Sequence, residues 1–167
     1  MDEAFGDGSH PTTRLCAGAV DLLCRLNQPR SVLDVGTGTG ILARIARARG
    51  VSYIVATDID PIAITSAQTH IQFDRSTTSI ELSTHLPDHW GPKFDLVVAN
   101  ILEGTLKMLA QNLTKAVSPG GLLLLSGFTP AQIPSLRTAF TSHGMKWKST
   151  STLDEWSILV FIKDEAQ

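Results

Sequence analysis

Asp34, Gly36, Gly38, Gly40, Asp58 and Asn100 are the candidate ligand-binding and reactive positions of this chain. The first four lie in "DVGTGTG", directly after an apolar run. Glycines at every second position let the backbone reverse from strand to helix and let a ligand approach the main chain. The spacing is G-x-G-x-G, not the G-x-G-x-x-G dinucleotide fingerprint. Unpaired N–H groups where the next helix opens, at Ile41, would form an anion site suited to a carboxylate. Asp34, just before the glycines, either fixes the loop or meets an ammonium group. Asp58 ends a second apolar run, "IVATDIDP", 22 residues after Gly36. At that place a carboxylate can accept both hydroxyls of a ribose, and Ile59 would offer an apolar surface to an adenine. The other reading of Asp58 is a helix cap, a role that Asp60 before Pro61 fills better. Asn100 closes "FDLVVAN". Its amide carries an acceptor and a donor and can orient an amine against an electrophile, unless it is only a strand-end turn residue.

Side chains so far apart in sequence need a scaffold that gathers strand ends. Short apolar runs at Ser31–Val35, Tyr53–Asp58, Phe94–Asn100 and Gly121–Ser126 read as buried strands, with a weaker one at Ser79–Ser83. Between them lie helical patterns at Ile41–Arg49, at Pro61–Ile71 opened by Asp60, and at Glu103–Val117 ended by "SPGG". Ahead of the first strand, "HPTTRLCAGAVDLLCRLN" predicts a helix capped by Thr12 or Thr13, with Leu15, Cys16, Ala19, Val20, Leu22, Leu23 and Leu26 on one face. Strand and helix alternating in this way imply a parallel sheet with helices on both faces, and the carboxyl ends of its strands would line one crevice.

The end of the chain breaks the alternation. After a helical pattern at Ala131–His143, the strand-like runs Met145–Thr152 and Trp156–Ile162 are joined only by "LDE". So short a link cannot make a parallel crossover, and the two strands must be antiparallel neighbours. A sheet ending in an antiparallel pair is the usual form of the methyltransferase variant, whereas nicotinamide-binding sheets are normally parallel throughout.

With 167 residues, 43% apolar and 18% charged, and a formal net charge of −2, the chain is expected to form one globular domain. The charge gives no case for nucleic acid or a membrane as main partner, and the acidic start is no secretory signal. Apolar runs such as "GGLLLLSGF" are far shorter than the roughly 20 residues of a membrane span. Cys16 and Cys24 stand about 12 Å apart along one predicted helix, too far for a disulfide. Both read as packing thiols, consistent with a reducing, cytoplasmic location. The histidines show no metal-ligand spacing, so no metal is expected, and His70, His85, His89 and His143 read as surface or core residues. Trp90, Trp147 and Trp156 read as packing, and Arg44, Arg47 and Arg49 as a solvated helix face rather than an RNA contact.

The runs "AFGDGSHPTTRLC", "VLDVGTGTGILA", "DIDPIAI", "LVVANILEG" and "SPGGLLLLSG" together resemble the catalytic domain of the PrmA family, the ribosomal protein L11 methyltransferases. The resemblance runs from about Ala4 to Ile162. Its glycine and aspartate motifs mark class I methyltransferases at large, while "HPTTRL" with "ANIL" is more specific to this family. It implies a Rossmann-like α/β fold with a seven-stranded, mostly parallel sheet and an antiparallel final strand pair. It further implies methyl transfer from S-adenosylmethionine to protein amines, with ribosomal protein L11 as partner. Thr13, Gly36, Asp58 and Asn100 stand at the family's cofactor-binding positions. Two departures are visible. Asp7 stands where the family usually has threonine, and the chain, read as a single methyltransferase domain over 1–167, starts almost at the "AFG" motif, so the family's amino-terminal substrate domain is expected to be absent, the chain being either a catalytic fragment or reliant on another route to its substrate.

S-adenosylmethionine is an activated electrophile, so a protein using it need only hold a neutral amine in line with the methyl group. Burial in an apolar, aromatic-rimmed site would favour the neutral amine. Phe5 is the candidate for the rim and Asn100 for alignment. His10 and Glu103 are the nearest general-base candidates, with structural roles as lead-loop residue and first-turn helix acid as their alternatives. "ANIL" argues against a nucleobase enzyme, because Ile101 and Leu102 supply no aromatic platform for a base. A methyltransferase for another protein or a small molecule is the alternative on the same scaffold, and a cofactor-binding module without activity of its own is the reading from another class.

Overall fold

The computed structural model describes residues 9–85 and 93–165. Phe5, Asp7, His89 and Trp90 lie outside the described residues. Seven strands form one sheet in the order β3-β2-β1-β4-β5-β7-β6. They are β1 (Ser31–Val35), β2 (Tyr53–Thr57), β3 (Ile80–Ser83), β4 (Phe94–Asn100), β5 (Val117–Phe128), β6 (Met145–Leu153) and β7 (Trp156–Lys163). Neighbours from β3 to β5 pair in parallel, and β7 runs antiparallel to both β5 and β6. The expected architecture is therefore the observed one, with β7 as the reversed strand. Because β2 and β4 flank β1 on opposite sides, the chain changes winding direction at β1, where open α/β sheets bind ligands.

Among the described residues, six α-helices cover the sheet: α1 (Pro11–Asn27), α2 (Ile41–Ala48), α3 (Pro61–Ile71), α4 (Glu103–Met108), α5 (Ala110–Ala116) and α6 (Ile133–Thr141). Alternation along the strands divides the core in two. Val32, Ile54, Leu96, Leu122 and Leu124 pack with Cys16, Val20, Ala43, Ala46 and Ile71 of the first three helices. Leu33, Val97, Leu123 and Phe161 pack with Leu106, Leu113, Leu136 and Phe140 of the last three. Each of the Val, Leu, Ile and Phe side chains contributes about 1.5–3 kcal/mol by leaving water, so both layers clamp the strand ends at fixed separations.

Several elements depart from their sequence patterns. α1 is capped by His10, not by Thr12 or Thr13, which lie inside the helix and are buried. Its inward row is narrower than the pattern suggests. Cys16, Val20 and Cys24 face the sheet, whereas Leu26 is 71% exposed, as residues two positions off that row point about 200° away. The expected helix Glu103–Val117 is split at Leu109, whose φ of −92° and ψ of 4° leave the helical basin. "SPGG" lies within β5 instead of ending a helix, since Val117 already pairs with Phe94. The Ala131–His143 pattern resolves into a 3-10 turn, Pro130–Gln132, followed by α6, because Pro134 has no N–H to bond back to the turn before it.

Of the three arginines expected on a solvated face, Arg49, just past α2, is exposed, whereas Arg47 and Arg44 are tied into the fold. Arg47 is buried and donates to Ile71 O at 3.0 Å, Thr78 O at 3.3 Å and Asp74 at 2.7 Å. Arg44 grips the same carboxylate through Nε at 2.8 Å and Nη2 at 2.7 Å, and Arg49 pairs with Asp21 of α1. The Arg44 and Arg47 guanidiniums hold the Asp74 carboxyl well below the usual carboxylate range, and the clamp ties the α3–β3 connection to α2. Both cysteine thiols are buried, which pushes Cys16 up to about 12 and Cys24 to about 11, as expected for packing residues.

Candidate functional site

A cleft of about 650 Å³ opens at the carboxyl ends of β1, β2, β4 and β5. The antiparallel course of β7 brings its first residue, Trp156, to the same end. Thr13, Gly36, Gly38, Asp58, Ile59 and Asn100 all line this cleft. Asp34 and Gly40 do not. Phe5, expected at the rim, lies outside the described residues.

The glycine loop is shaped mainly by the chain itself. Gly36, with φ of 75°, takes a conformation that other residues rarely adopt. Its N–H and that of Thr37 both donate to Thr57 O at 2.9 Å, and the Gly40 N–H donates to Thr37 O at 2.9 Å. The Gly38 N–H donates to Asp58 Oδ2 at 3.1 Å. These four loop amides are thus satisfied within the fold, so an anion would have to be met by the N–H groups of the first turn of α2, from Ile41 onward. Gly40 serves packing: a Cβ there would lie 3.2 Å from Ala67 Cβ on α3.

Asp58 sits just past β2, half-buried. Oδ2 holds Gly38, and Oδ1 accepts the Asp60 N–H at 3.0 Å. Asp60 caps α3, its carboxylate accepting from Ile62 N at 2.9 Å, so Asp58 is not the helix cap. An ionised carboxylate has about four acceptor positions, so Asp58 keeps about two for a ligand's hydroxyls. Ile59 beside it is 75% exposed.

Asp34 lies beneath the loop, buried on all sides. Thr37 Oγ1 donates to its Oδ2 at 2.7 Å, while Oδ1 has no partner among the described residues. Burial raises its carboxyl from 3.8 to about 6, against the lowering effect of the Thr37 hydroxyl and the Ala43 amide; the nearby Asp58 charge adds to the rise. The folded protein therefore holds a proton on Asp34 between about pH 4 and pH 6 where the unfolded chain has lost it. This contribution to stability is full below pH 4 and is lost as pH rises towards 6. Asp34→Asn, which mimics the protonated acid, is expected to gain stability relative to the wild type across that interval and then hold a constant lead. Urea unfolding of both proteins without cofactor at several pH values measures this; parallel curves would refute it.

Neither general-base candidate is placed for that task. His10 Nδ1 accepts the Thr12 N–H at 3.2 Å and lies 2.7 Å from Thr12 Oγ1, so its lone pair caps α1. Taking a proton at Nδ1 would break the cap. Glu103 does not line the cleft. Its Oε1 accepts from Ser135 Oγ at 2.8 Å and meets Lys107 Nζ at 3.1 Å, which holds its carboxyl below the ordinary carboxylate range.

The fold also brings to the cleft residues that pattern reading assigned elsewhere. Trp156, read as packing, lines it with His10, their rings edge to face at a centroid separation of 5.3 Å. His85 lines the β3 side, its Nδ1 3.1 Å from Ser83 Oγ. Trp147 is not core packing either: it is half-exposed on β6, with the Arg137 guanidinium 4.3 Å from its ring centre. Ile101, Leu102, Met108 and Gly127 complete an apolar wall on the β4–β5 side. For Ile101, Leu102 and Gly127 the position after or beside a strand end was the available signal; Met108, at the end of α4, carried none. Among the described lining residues, Asp58 is the sole carboxylate.

Comparison with known proteins agrees with this architecture. The sequence pattern of the family described as Ribosomal protein L11 methyltransferase (PrmA) matches residues 3–164. The chain is 41% identical over 158 residues to a ribosomal protein L11 methyltransferase of Geobacter metallireducens, covering 95% of this chain and 51% of that protein. It thus spans about half the length of the curated relatives it matches. The crystal structure of a ribosomal protein L11 methylase from Lactobacillus delbrueckii subsp. bulgaricus superposes with a TM-score of 0.85 at 30% identity, covering 95% of this chain and 81% of that one. An N-methyltransferase, NodS from Bradyrhizobium japonicum, solved with S-adenosyl-l-homocysteine, shares the fold with a TM-score of 0.73 at 16% identity, covering 94% of this chain and 90% of that one. The chain belongs to the ribosomal protein L11 methyltransferase (PrmA) family.

Proposed function

We propose that this chain binds S-adenosylmethionine and transfers its methyl group to amines of a protein, ribosomal protein L11 being the substrate. The observation that carries this reading is the convergence of Gly36, Asp58 and Asn100 on one cleft at the ends of three adjacent parallel strands. The residues present fit the cofactor. Asp58 retains acceptor positions for ribose hydroxyls, Ile59 presents an exposed apolar side chain beside it, and the cleft volume lies in the range of cofactor sites. Gly36 and Thr13 would take the amino-acid end of the cofactor, and the buried Asp34 would act there through the loop it braces. The bound cofactor supplies a methyl group on a positively charged sulfur, ready to leave.

What remains for the protein is to hold an amine, uncharged, at the right place. Asn100 at the end of β4 can accept a hydrogen bond from the amine through its side-chain oxygen and fix the direction of the nitrogen lone pair. Leu102 and Met108, the latter 82% exposed, form an apolar lip that suits the methylene stem of a lysine. With no second carboxylate among the described lining residues to pair with an ammonium, the wall favours loss of the amine's proton before transfer. Orientation of this kind can supply about 7–11 kcal/mol of barrier lowering.

Titration calorimetry with S-adenosylmethionine, its demethylated product and NAD, followed by a labelled-methyl assay on purified L11 and a short lysine peptide, tests the proposal. Binding of the first two and label in L11 are expected. Binding of NAD with no affinity for S-adenosylmethionine would overturn the reading of the cleft. Cofactor binding with no transfer to any amine would leave a binding module instead of an enzyme.

A further inference from the structure

Ile101 follows Asn100 and is half-buried in the cleft wall. Its surroundings are unusual for a loop residue, because two glycines from different strand ends close on it. A Cβ on Gly36 would collide with Ile101 Cγ2. A Cβ on Gly127, whose φ is 98°, would collide with the Ile101 carbonyl oxygen, 2.8 Å from the carbonyl carbon and 3.1 Å from the amide nitrogen. The Ile101 N–H in turn donates to Ser126 O at 3.1 Å. The side chain is therefore seated on the glycine loop after β1 and the backbone on the end of β5.

We propose that Ile101 is a positioning residue, a wedge whose β-branched side chain abuts Gly36 and whose backbone abuts Gly127, so that the cofactor loop and Asn100 hold one fixed separation. The functional half of this proposal rests on the methyl-transfer reading. A side chain without a methyl on its β-carbon leaves a gap over Gly36, and Asn100, one residue away, loses its lateral stop. Valine keeps that methyl. Leucine keeps the volume of isoleucine but branches one carbon further out.

Two measurements separate the geometry from the function. The first uses urea unfolding without cofactor on Gly36→Ala and Gly127→Ala, each with and without Ile101→Ala. Trimming Ile101 is expected to recover part of the stability lost in Gly36→Ala, where a side chain is the obstacle, and none of that lost in Gly127→Ala, where the obstacle is backbone. Additive losses in the Gly36 pair, or equal recovery in both pairs, would overturn the wedge. The second compares Ile101→Val and Ile101→Leu, which do not depend on the glycine variants folding. At saturating cofactor, Ile101→Leu is expected to lower single-turnover methyl transfer by about 10-fold or more, with cofactor affinity falling less, while Ile101→Val retains most of the rate. A leucine variant at the wild-type rate, or a valine variant worse than leucine, would remove the positioning role. A wild-type protein that transfers no methyl group would refute the functional reading, and the unfolding cycle would still decide the wedge.

Discussion

Asp58→Ala is expected to weaken binding of S-adenosylmethionine by about 10- to 150-fold, a total loss of about 1.5–3 kcal/mol for its charge-assisted hydrogen bonds. The carboxylate has two tasks in this fold. It would accept the ribose hydroxyls, and it already holds the Gly38 N–H at 3.1 Å and the Asp60 N–H at 3.0 Å. Alanine removes both tasks, freeing the glycine loop from the end of β2 as well as deleting acceptors. Asp58→Asn keeps one oxygen acceptor without the charge and should fall between the wild type and alanine. Calorimetry with the demethylated cofactor provides the measurement, because no turnover complicates it. Unchanged affinity in Asp58→Ala would take this residue out of the site.

Asn100→Ala should lower methyl transfer at saturating cofactor on the order of 100-fold, the effect of misplacing a reacting group by about 1 Å. Cofactor affinity should also fall, as the side chain lines the same cleft as Asp58 and Gly36. The two effects separate because alignment matters most in the transition state, whereas cofactor contacts are made before it. Asn100 belongs to a strand paired on both sides, Ala99 matching Val35 of β1 and Asn100 matching Ser126 of β5. The truncation should therefore leave the backbone in place. A single-turnover rate equal to the wild type would count against alignment by this side chain, even if cofactor binding had weakened.

Glycines after an apolar run, an aspartate followed by a proline, and a three-residue link between two apolar runs are local signals, each with a backbone consequence that few distant contacts can override. They establish the strand-to-helix turn at Gly36, the capped start of α3 at Asp60, the antiparallel pairing of β6 with β7 and, through strand alternation, the class of the fold, while which of that pair is reversed against the sheet follows from β7 lying next to β5. A parallel sheet brings its carboxyl ends together, so Asp58 and Asn100 could be placed on one crevice before any contact was known. Side-chain partners across the fold carry no such signal. It is the packed fold that makes the Nδ1 of His10 cap α1, ties Glu103 to Ser135 and Lys107 away from the cleft, and sets Arg44 and Arg47 on Asp74. It alone placed Trp156 in the cleft wall and closed Gly36 and Gly127 on Ile101. Periodicity reports which face of an element turns inward; what a side chain meets there depends on the separations between elements, and these are set by the packing of both core layers together.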